Sequence, residues 1–207
     1  VLVKGLLHTA TLLRAVLNKE CGLLADHGVL THVAMAEIPG RKKLLCFTDA
    51  AVIPYPTQAQ RLVQVEVLTK VIRALGTPVP RISLLHCAET VSDKFPHTLG
   101  YGEIKELAAQ GRWGEVLVDG PLDLRTSLDA AVLKIKGIHS CLEGDADGLV
   151  FPDLESANML YKALPLFCGA REAGILQGTT APVVLPSRGD SWQDKFLSIA
   201  MAVMSLN

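Results

Sequence analysis

Pro182-Val183-Val184-Leu185-Pro186-Ser187-Arg188-Gly189-Asp190-Ser191-Trp192-Gln193-Asp194 joins an apolar run to an amphipathic C-terminal segment. The run reads as a buried strand, and Trp192, Phe196, Ile199, Ala200 and Val203 then recur at helical spacing. A strand feeding a helix through a short polar turn is the unit of a layered α/β fold. Such a turn presents free backbone N–H groups and the positive end of the helix dipole, which suits an anion. Arg188 adds a permanent cation whose flat fork of donors matches phosphate. Asp194 places a carboxylate one turn inside the same helix. An anion site, a cation and a base together point to transfer chemistry on a phosphorylated substrate. The same letters have a second meaning, because Ser191-x-x-Asp194 has the form of a capping box, Asp190 can serve as the N-cap and Arg188 can be a solvated loop charge.

Working outward, the same rhythm recurs. Leu12, Leu13, Val16 and Leu17 suggest a helix opened by Thr9 or Thr11 and closed before Gly22. Residues 29–35 and 44–48 read as strands around Pro39-Gly40, an antiparallel pair. A helix from Thr57 carries Leu62, Val65, Leu68, Ile72 and Leu75 on one face and ends at Gly76. Strand 81–86 precedes helix 101–109, strand 115–119 precedes helix 127–136, and strand 148–151 precedes helix 154–164, where Pro165 should end or kink it. Strand 173–177 leads through Gly178 to the final strand and helix. This order predicts an α/β fold with a mainly parallel sheet and flanking helices.

Composition narrows the function. Of 207 residues 49% are hydrophobic, enough to build a core, and Ala, Val, Leu and Ile dominate, as where helices cover buried parallel strands. A net charge of −1 and a pI near 6.6 give no basic surface for nucleic acid and none for an anionic membrane. No apolar stretch is long enough to span a bilayer. Cys21, Cys46, Cys87, Cys141 and Cys168 are odd in number and form no CxxC pair, so they read as buried free thiols in a reducing cytosol. The adjacent His86-Cys87 end a strand-like run and read as core packing. His8, His27, His32, His97 and His139 are scattered without metal spacing, and no metal site is expected. The start, Val1-Leu2-Val3-Lys4-Gly5, shows neither an initiator Met nor a signal-peptide pattern, which points to processing or to an upstream region.

In a parallel α/β fold ligands gather beyond the carboxyl ends of the strands. Those ends are Asp49, His86-Cys87, Asp119-Gly120-Pro121, Pro152-Asp153, Gln177-Gly178 and Ser187-Arg188. They offer one arginine, and a phosphate dianion calls for a second cation. Arg14 is the candidate from elsewhere, with an ordinary exposed helix residue as its other reading.

Several segments resemble the phosphate acetyl/butyryltransferases. Gly148-Leu-Val-Phe-Pro-Asp-Leu-Glu-Ser-Ala-Asn-Met-Leu-Tyr-Lys-Ala-Leu164, Ala173-Gly-Ile-Leu-Gln-Gly178, Ala181-Pro182 and Ser187-Arg188 resemble the C-terminal half of that family. Lys4-Gly5, His8-Thr9, Leu12-Leu13-Arg14, Thr48-Asp49-Ala50-Ala51, Glu89-Thr90-Val91 and Asp119-Gly120-Pro121-Leu122 match its earlier blocks in order. The resemblance implies a two-domain fold like that of isocitrate and isopropylmalate dehydrogenases. Residues 1–57 would belong to a first domain incomplete at its N-terminus, with a C-terminal helix at about 191–207 packing back on it, and residues 58–190 to the second. Family members carry a further N-terminal region, so autonomous activity of this chain is in question.

The implied reaction moves an acetyl or butyryl group reversibly between coenzyme A and inorganic phosphate in a cytoplasmic homodimer. Its partners are acyl-CoA, acyl phosphate and phosphate; coenzyme A is a substrate, and no permanently bound cofactor is implied. By resemblance Arg188 holds the phosphoryl group, Ser187 supplies a hydroxyl near the thiol, Asp194 takes the thiol proton and Arg14 faces the acyl phosphate. Thr9, Gly178, Ser191 and Asp190 join them in binding substrate. Ile53 stands where the family usually has Asn, and Ala157 where it has Gly. The reference pKa values of a thiol and an aspartate place roughly 6 kcal/mol against full proton transfer, so Asp194 needs partial burial or must act as the sulfur attacks. A dehydrogenase of related fold would need clustered metal carboxylates and a nucleotide loop, and the sequence has neither. A non-catalytic binder or sensor of acyl phosphates is the alternative that the N-terminus and Ile53 keep open.

Overall fold

Eight strands lie edge to edge in one sheet in the order β1-β8-β7-β2-β3-β6-β4-β5, in a computed structural model that describes residues 1–25 and 28–206. The strands are β1 (Leu2–Val3), β2 (Thr31–Glu37), β3 (Leu45–Thr48), β4 (Arg81–Leu85), β5 (Leu117–Leu122), β6 (Gly148–Val150), β7 (Arg171–Gln177) and β8 (Val183–Val184). The helices are α1 (Thr9–Val16), α2 (Gln58–Ala74), α3 (Tyr101–Ala109), α4 (Leu124–Leu128), α5 (Ala130–Ile135), α6 (Leu154–Cys168) and α7 (Trp192–Met204). The sheet is mixed rather than mainly parallel. The pairs β1–β8, β3–β6, β6–β4 and β4–β5 are parallel, whereas β8–β7, β7–β2 and β2–β3 are antiparallel. The Pro39-Gly40 turn reverses the chain between β2 and β3, with Gly40 at φ +83°, a backbone conformation open to glycine.

Period-two alternation along β2 divides the core between the two faces. Val33 and Met35 pack with Val65, Leu68 and Ile72 of α2 and Met201 of α7. Ala34 and Ala36 face Phe47, Leu149 and the α6 residues Ala157 and Leu164. Thr57 caps α2 by accepting from the Gln60 N–H, and the Gln60 side chain returns a bond to the Thr57 N–H. Gly148 lets α2 sit close on β6, since a Cβ there would lie 2.8 Å from Ile72 Cδ1.

Several expected elements change. The helix over 127–136 is two short helices, because Asp129 leaves the helical region and caps α5 through the N–H groups of Ala131 and Val132. Pro165 does not end α6, which runs on to Cys168; it falls in the last turn, where few hydrogen bonds remain to be lost. The strand expected at 115–119 runs instead through Pro121, which an edge strand such as β5 tolerates. Of the five free cysteines only Cys46 is buried; Cys21, Cys87, Cys141 and Cys168 are exposed.

Helix α7 departs most. It lies on β7 and β8, but through Ser198, Met201 and Ala202, with Ser198 Oγ accepting from the Gly174 N–H. The stripe that marked it as amphipathic, Trp192, Phe196, Ile199 and Val203, points outward, with Trp192 72% exposed. Small side chains allow the close approach, and the large apolar ones are left on the free face. Of the sequence calls, His27 and Asn207, the last residue expected in this helix, lie outside the described residues.

Candidate active site

The turn from β8 to α7 is built by its own acids. Ser191 caps α7, its Oγ accepting from the Asp194 N–H at 3.1 Å and donating to Asp194 Oδ2 at 2.6 Å. Asp194 Oδ2 also accepts from the Ser191 N–H, while Oδ1 accepts from the Glu172 N–H of β7 at 3.1 Å. Asp190 Oδ2 takes the Ser187 N–H at 2.6 Å. The capping box is therefore formed, and two carboxylates occupy donors that the strand-to-helix turn was expected to offer an anion.

Arg188 and Ser187 are nonetheless directed to a cleft. It has a volume of about 280 Å³. Its walls are Lys4 and Leu7 after β1, Thr9 at the start of α1, His32 of β2, Ala50 and Ala51 after β3, Asn158, Tyr161 and Lys162 of α6, and residues 185–188 after β8. That lining holds Lys4, Lys162 and Arg188 and no Asp or Glu, and among the described residues none of the three cations has a salt-bridge partner. Lys4 is only 6% exposed, and its Nζ donates to the Gly5 and Leu7 carbonyls at 3.2 and 3.3 Å. Lys162 Nζ sits 4.8 Å from the centre of the Tyr161 ring. Three positive side chains meet in one concave site, Lys4 buried and Lys162 and Arg188 exposed, an arrangement that suits an anion.

One buried carboxylate holds the neighbouring wall in place. Asp49 accepts from Thr31 Oγ1 at 2.8 Å and from the N–H groups of His32, Ala51, Val52 and Ile53. The bond from Ile53 is through its backbone, so the Ile53 side chain takes no part in it. Asn158 Nδ2 ties α6 to the Ala50 carbonyl at 2.9 Å. His32 is 3% exposed, its ring meets Tyr161 edge-on at 6.1 Å, and its Nδ1 has no hydrogen-bond partner. Burial lowers the His32 pKa, with Asp49 opposing. Glu172, also buried, is pushed up to about 8 by burial and by Asp190 and Asp194, with Lys162 opposing.

The cleft thus gathers Thr9, Ser187 and Arg188 from the sequence candidates. Ser191, Asp190 and Asp194 adjoin it as the framework of the turn and are not in its lining. Arg14 is exposed on α1 and Gly178, at φ +91° against the Val29 carbonyl, shapes the end of β7; neither lines the cleft. Lys4 and Lys162 are the cations that line the cleft beside Arg188. Sequence reasoning passed over Lys4, His32 and Lys162 as site residues. A lysine ending the apolar Val1-Leu2-Val3 and a histidine inside a strand of apolar residues were the available signals, since such polar groups are buried only with a reason. His86, at the end of β4, is not in the lining; it meets His97 at 3.2 Å and Cys87 at 3.7 Å. Among the described residues no group of three or more His, Cys, Asp and Glu is placed to hold a metal ion, and no helix is long and apolar enough to cross a membrane.

Comparison with known proteins gives the cleft a context. The profile of the family described as Phosphate acetyl/butaryl transferase matches residues 1–203. The chain is 36% identical over 203 residues to a phosphate butyryltransferase of Clostridium beijerinckii, covering 98% of this chain and 67% of that protein. It is 33% identical to a phosphate acetyltransferase of Thermotoga maritima, covering 98% of this chain and 69% of the relative. The crystal structure of a branched-chain phosphotransacylase from Enterococcus faecalis superposes with a TM-score of 0.87 at 37% identity, over 99% of this chain and 73% of that one. These matches run through every segment that lines the cleft, and the chain belongs to the phosphate acetyl/butyryltransferase family.

Proposed function

We propose that this chain moves an acyl group, acetyl or butyryl, reversibly between coenzyme A and inorganic phosphate. The observation that carries this reading is the cleft of three cations without a carboxylate, in a member of this family. Arg188, Lys4 and Lys162 hold the phosphoryl oxygens, and Ser187 and Thr9 supply hydroxyl donors at the rim. Attack by the coenzyme A sulfur on the acyl phosphate carbonyl places negative charge on the carbonyl oxygen and on the departing phosphate. Cations already gathered where that charge develops stabilise it electrostatically. Seating both substrates in one cleft supplies the rest through orientation. No residue needs to be acylated, and coenzyme A acts as substrate rather than resident cofactor.

The finer expectations belong to the same reading. Asp194 orders the arginine turn through the cap, and by resemblance it is a candidate base; Asp190 and Ser191 serve the same turn, and by resemblance Arg14 faces the acyl phosphate and Gly178 contacts substrate. We read the fold as two lobes of the isocitrate dehydrogenase type, residues 1–57 with the C-terminal helix and residues 58–190. A homodimer is favoured by the outward apolar stripe of α7, and a cytoplasmic location is what the resemblance implies. A thiol-release assay with acetyl-, propionyl- and butyryl-CoA, with and without phosphate, tests the activity. Phosphate-dependent release that Arg188→Ala lowers by at least tenfold supports it. Binding of phosphate and coenzyme A without release selects a non-catalytic sensor of acyl phosphates instead.

A further inference from the structure

We infer that Cys87 is a modification site, a surface thiol that exchanges with low-molecular-weight disulfides to form a mixed disulfide, with His86 as its proton acceptor. Both residues lie outside the cleft lining, and this chemistry does not need the acyl-transfer reading. Strand β4 is parallel to β6, and β6 to β3, so the pair leaves the sheet at the carboxyl edge where Asp49 also emerges. In the sequence the pair reads as core packing, but only the imidazole is buried: His86 is 8% exposed, and Cys87 is at the surface. Cys87 Sγ lies 3.7 Å from His86 Nε2, and His86 Nδ1 meets His97 Nε2 at 3.2 Å. A nucleophile, a base and a third group that orients the base thus stand in line. The His86 backbone N–H donates to the Leu122 carbonyl at 2.8 Å, and Phe95 packs edge-on to the ring at 4.6 Å. Buried Thr98 pins the loop that carries Phe95 and His97, its Oγ1 donating to the Phe95 carbonyl at 2.8 Å and accepting from the Ser92 N–H at 3.0 Å.

Burial, with Arg61 and His86, lowers the His97 pKa to about 4, Asp153 opposing, so this ring is neutral and has a lone pair to offer. With His97 Nε2 accepting, His86 carries its proton on Nδ1 and turns a bare Nε2 to the sulfur. Once the thiol proton arrives, the imidazolium donates from both nitrogens, to the thiolate and to His97. The exchange then balances. The Cys87 thiolate attacks one sulfur of the disulfide, a new S–S bond forms as the old one breaks, and the departing thiolate takes the proton back from His86. The cysteine is oxidised and the leaving half of the reagent is reduced. A thiol of ordinary acidity is only slightly ionised at neutral pH, so handing over its proton during attack speeds the reaction. The other cysteines are placed differently. Cys21 Sγ donates to Asn18 Oδ1 at 3.4 Å, Cys141 Sγ to the Val118 carbonyl at 3.9 Å, and Cys46 is buried. Among the described residues Cys87 is the one thiol hydrogen-bonded to an imidazole.

The test treats the full chain at neutral pH with hydroxyethyl disulfide, a neutral probe, and separately with oxidised glutathione. Peptide mass spectrometry times the mixed disulfide at each cysteine. In wild type Cys87 is expected to react about tenfold or more faster than Cys168, the exposed thiol at the end of α6, with both probes. His86→Gln should lower the Cys87 rate by about tenfold and leave the Cys168 rate unchanged. His97→Phe keeps a ring in place but removes the acceptor, and should slow Cys87 by about threefold or more with Cys168 again unchanged. A wild-type Cys87 no faster than Cys168, or a Cys87 rate that His86→Gln leaves as it was, overturns the assignment. A Cys87 rate untouched by His97→Phe removes the second histidine from the relay. Should His86→Gln fail to fold by circular dichroism, the wild-type ratio of Cys87 to Cys168 decides on its own. Loss of the Cys87 advantage with the neutral probe alone would trace it to surface charge rather than to the imidazole, and would overturn the role of His86.

Discussion

Replacing Gly174 by Ala asks whether the His32 ring is where the structure puts it. The new methyl carbon would stand 2.5 Å from His32 Nε2 and 3.0 Å from Cε1, inside any real contact distance. The imidazole has little room to yield. Tyr161 stands edge-on to it at 6.1 Å, and the His32 backbone N–H donates to Asp49 at 3.1 Å. Gly174 has no positive φ to complicate the change, so the cost is steric. Overpacking of this kind costs about 1–3 kcal/mol. At about 2–4 °C per kcal/mol for a chain of this size, Tm should fall by roughly 2–12 °C. In a His32→Ala background the methyl enters vacated space, and the same substitution should cost under about 0.5 kcal/mol. Urea denaturation of the four proteins measures the coupling. A Gly174→Ala cost that is equal in both backgrounds would refute the placement of the ring.

Three further outcomes are expected. Glu172 is raised to about 8 from the ordinary glutamate value of 4.5, so the folded chain holds a proton there that the unfolded chain has released. Its contribution is full below about 4.5 and is lost as pH rises towards 8; Glu172→Gln should gain Tm relative to wild type across that interval, and a difference independent of pH would count against it. Ser191→Ala removes the cap of α7 and should cost about 0.5–2 kcal/mol in chemical denaturation, with no loss meaning that the helix end is held elsewhere. Phe196→Glu on the outward stripe should convert a dimer to monomer in sedimentation while the far-ultraviolet spectrum is kept; an unchanged sedimentation coefficient removes α7 from any subunit contact.

Local signals carried much of the fold. The start of α2 at Thr57, the bounds of α3 and the β2–β3 turn are each set by residues a few positions apart, and they were readable one segment at a time. The face buried by α7 was not, because hydropathy marks a greasy stripe without saying which side meets the sheet. Here the sheet takes Ser198 and Ala202, whose small size permits close packing. The cleft was legible at Ser187 and Arg188, where a polar motif stands out from its neighbours, and at Thr9 through the family resemblance. Lys4, His32 and Lys162 reach it from three elements far apart in sequence, and spacing carries no trace of that meeting. Arg14 stands exposed on α1, outside the lining of the cleft.

Cys46 sits in β3, between the antiparallel and parallel portions of the sheet, 1% exposed and with its thiol pushed up to about 12 by burial. A version of the chain keeping only this sulfur would be silent to alkylating reagents while the sheet is closed. Its labelling rate would then time the parting of the two portions of the sheet, giving a clock for internal opening in a chain whose other four thiols react at the surface.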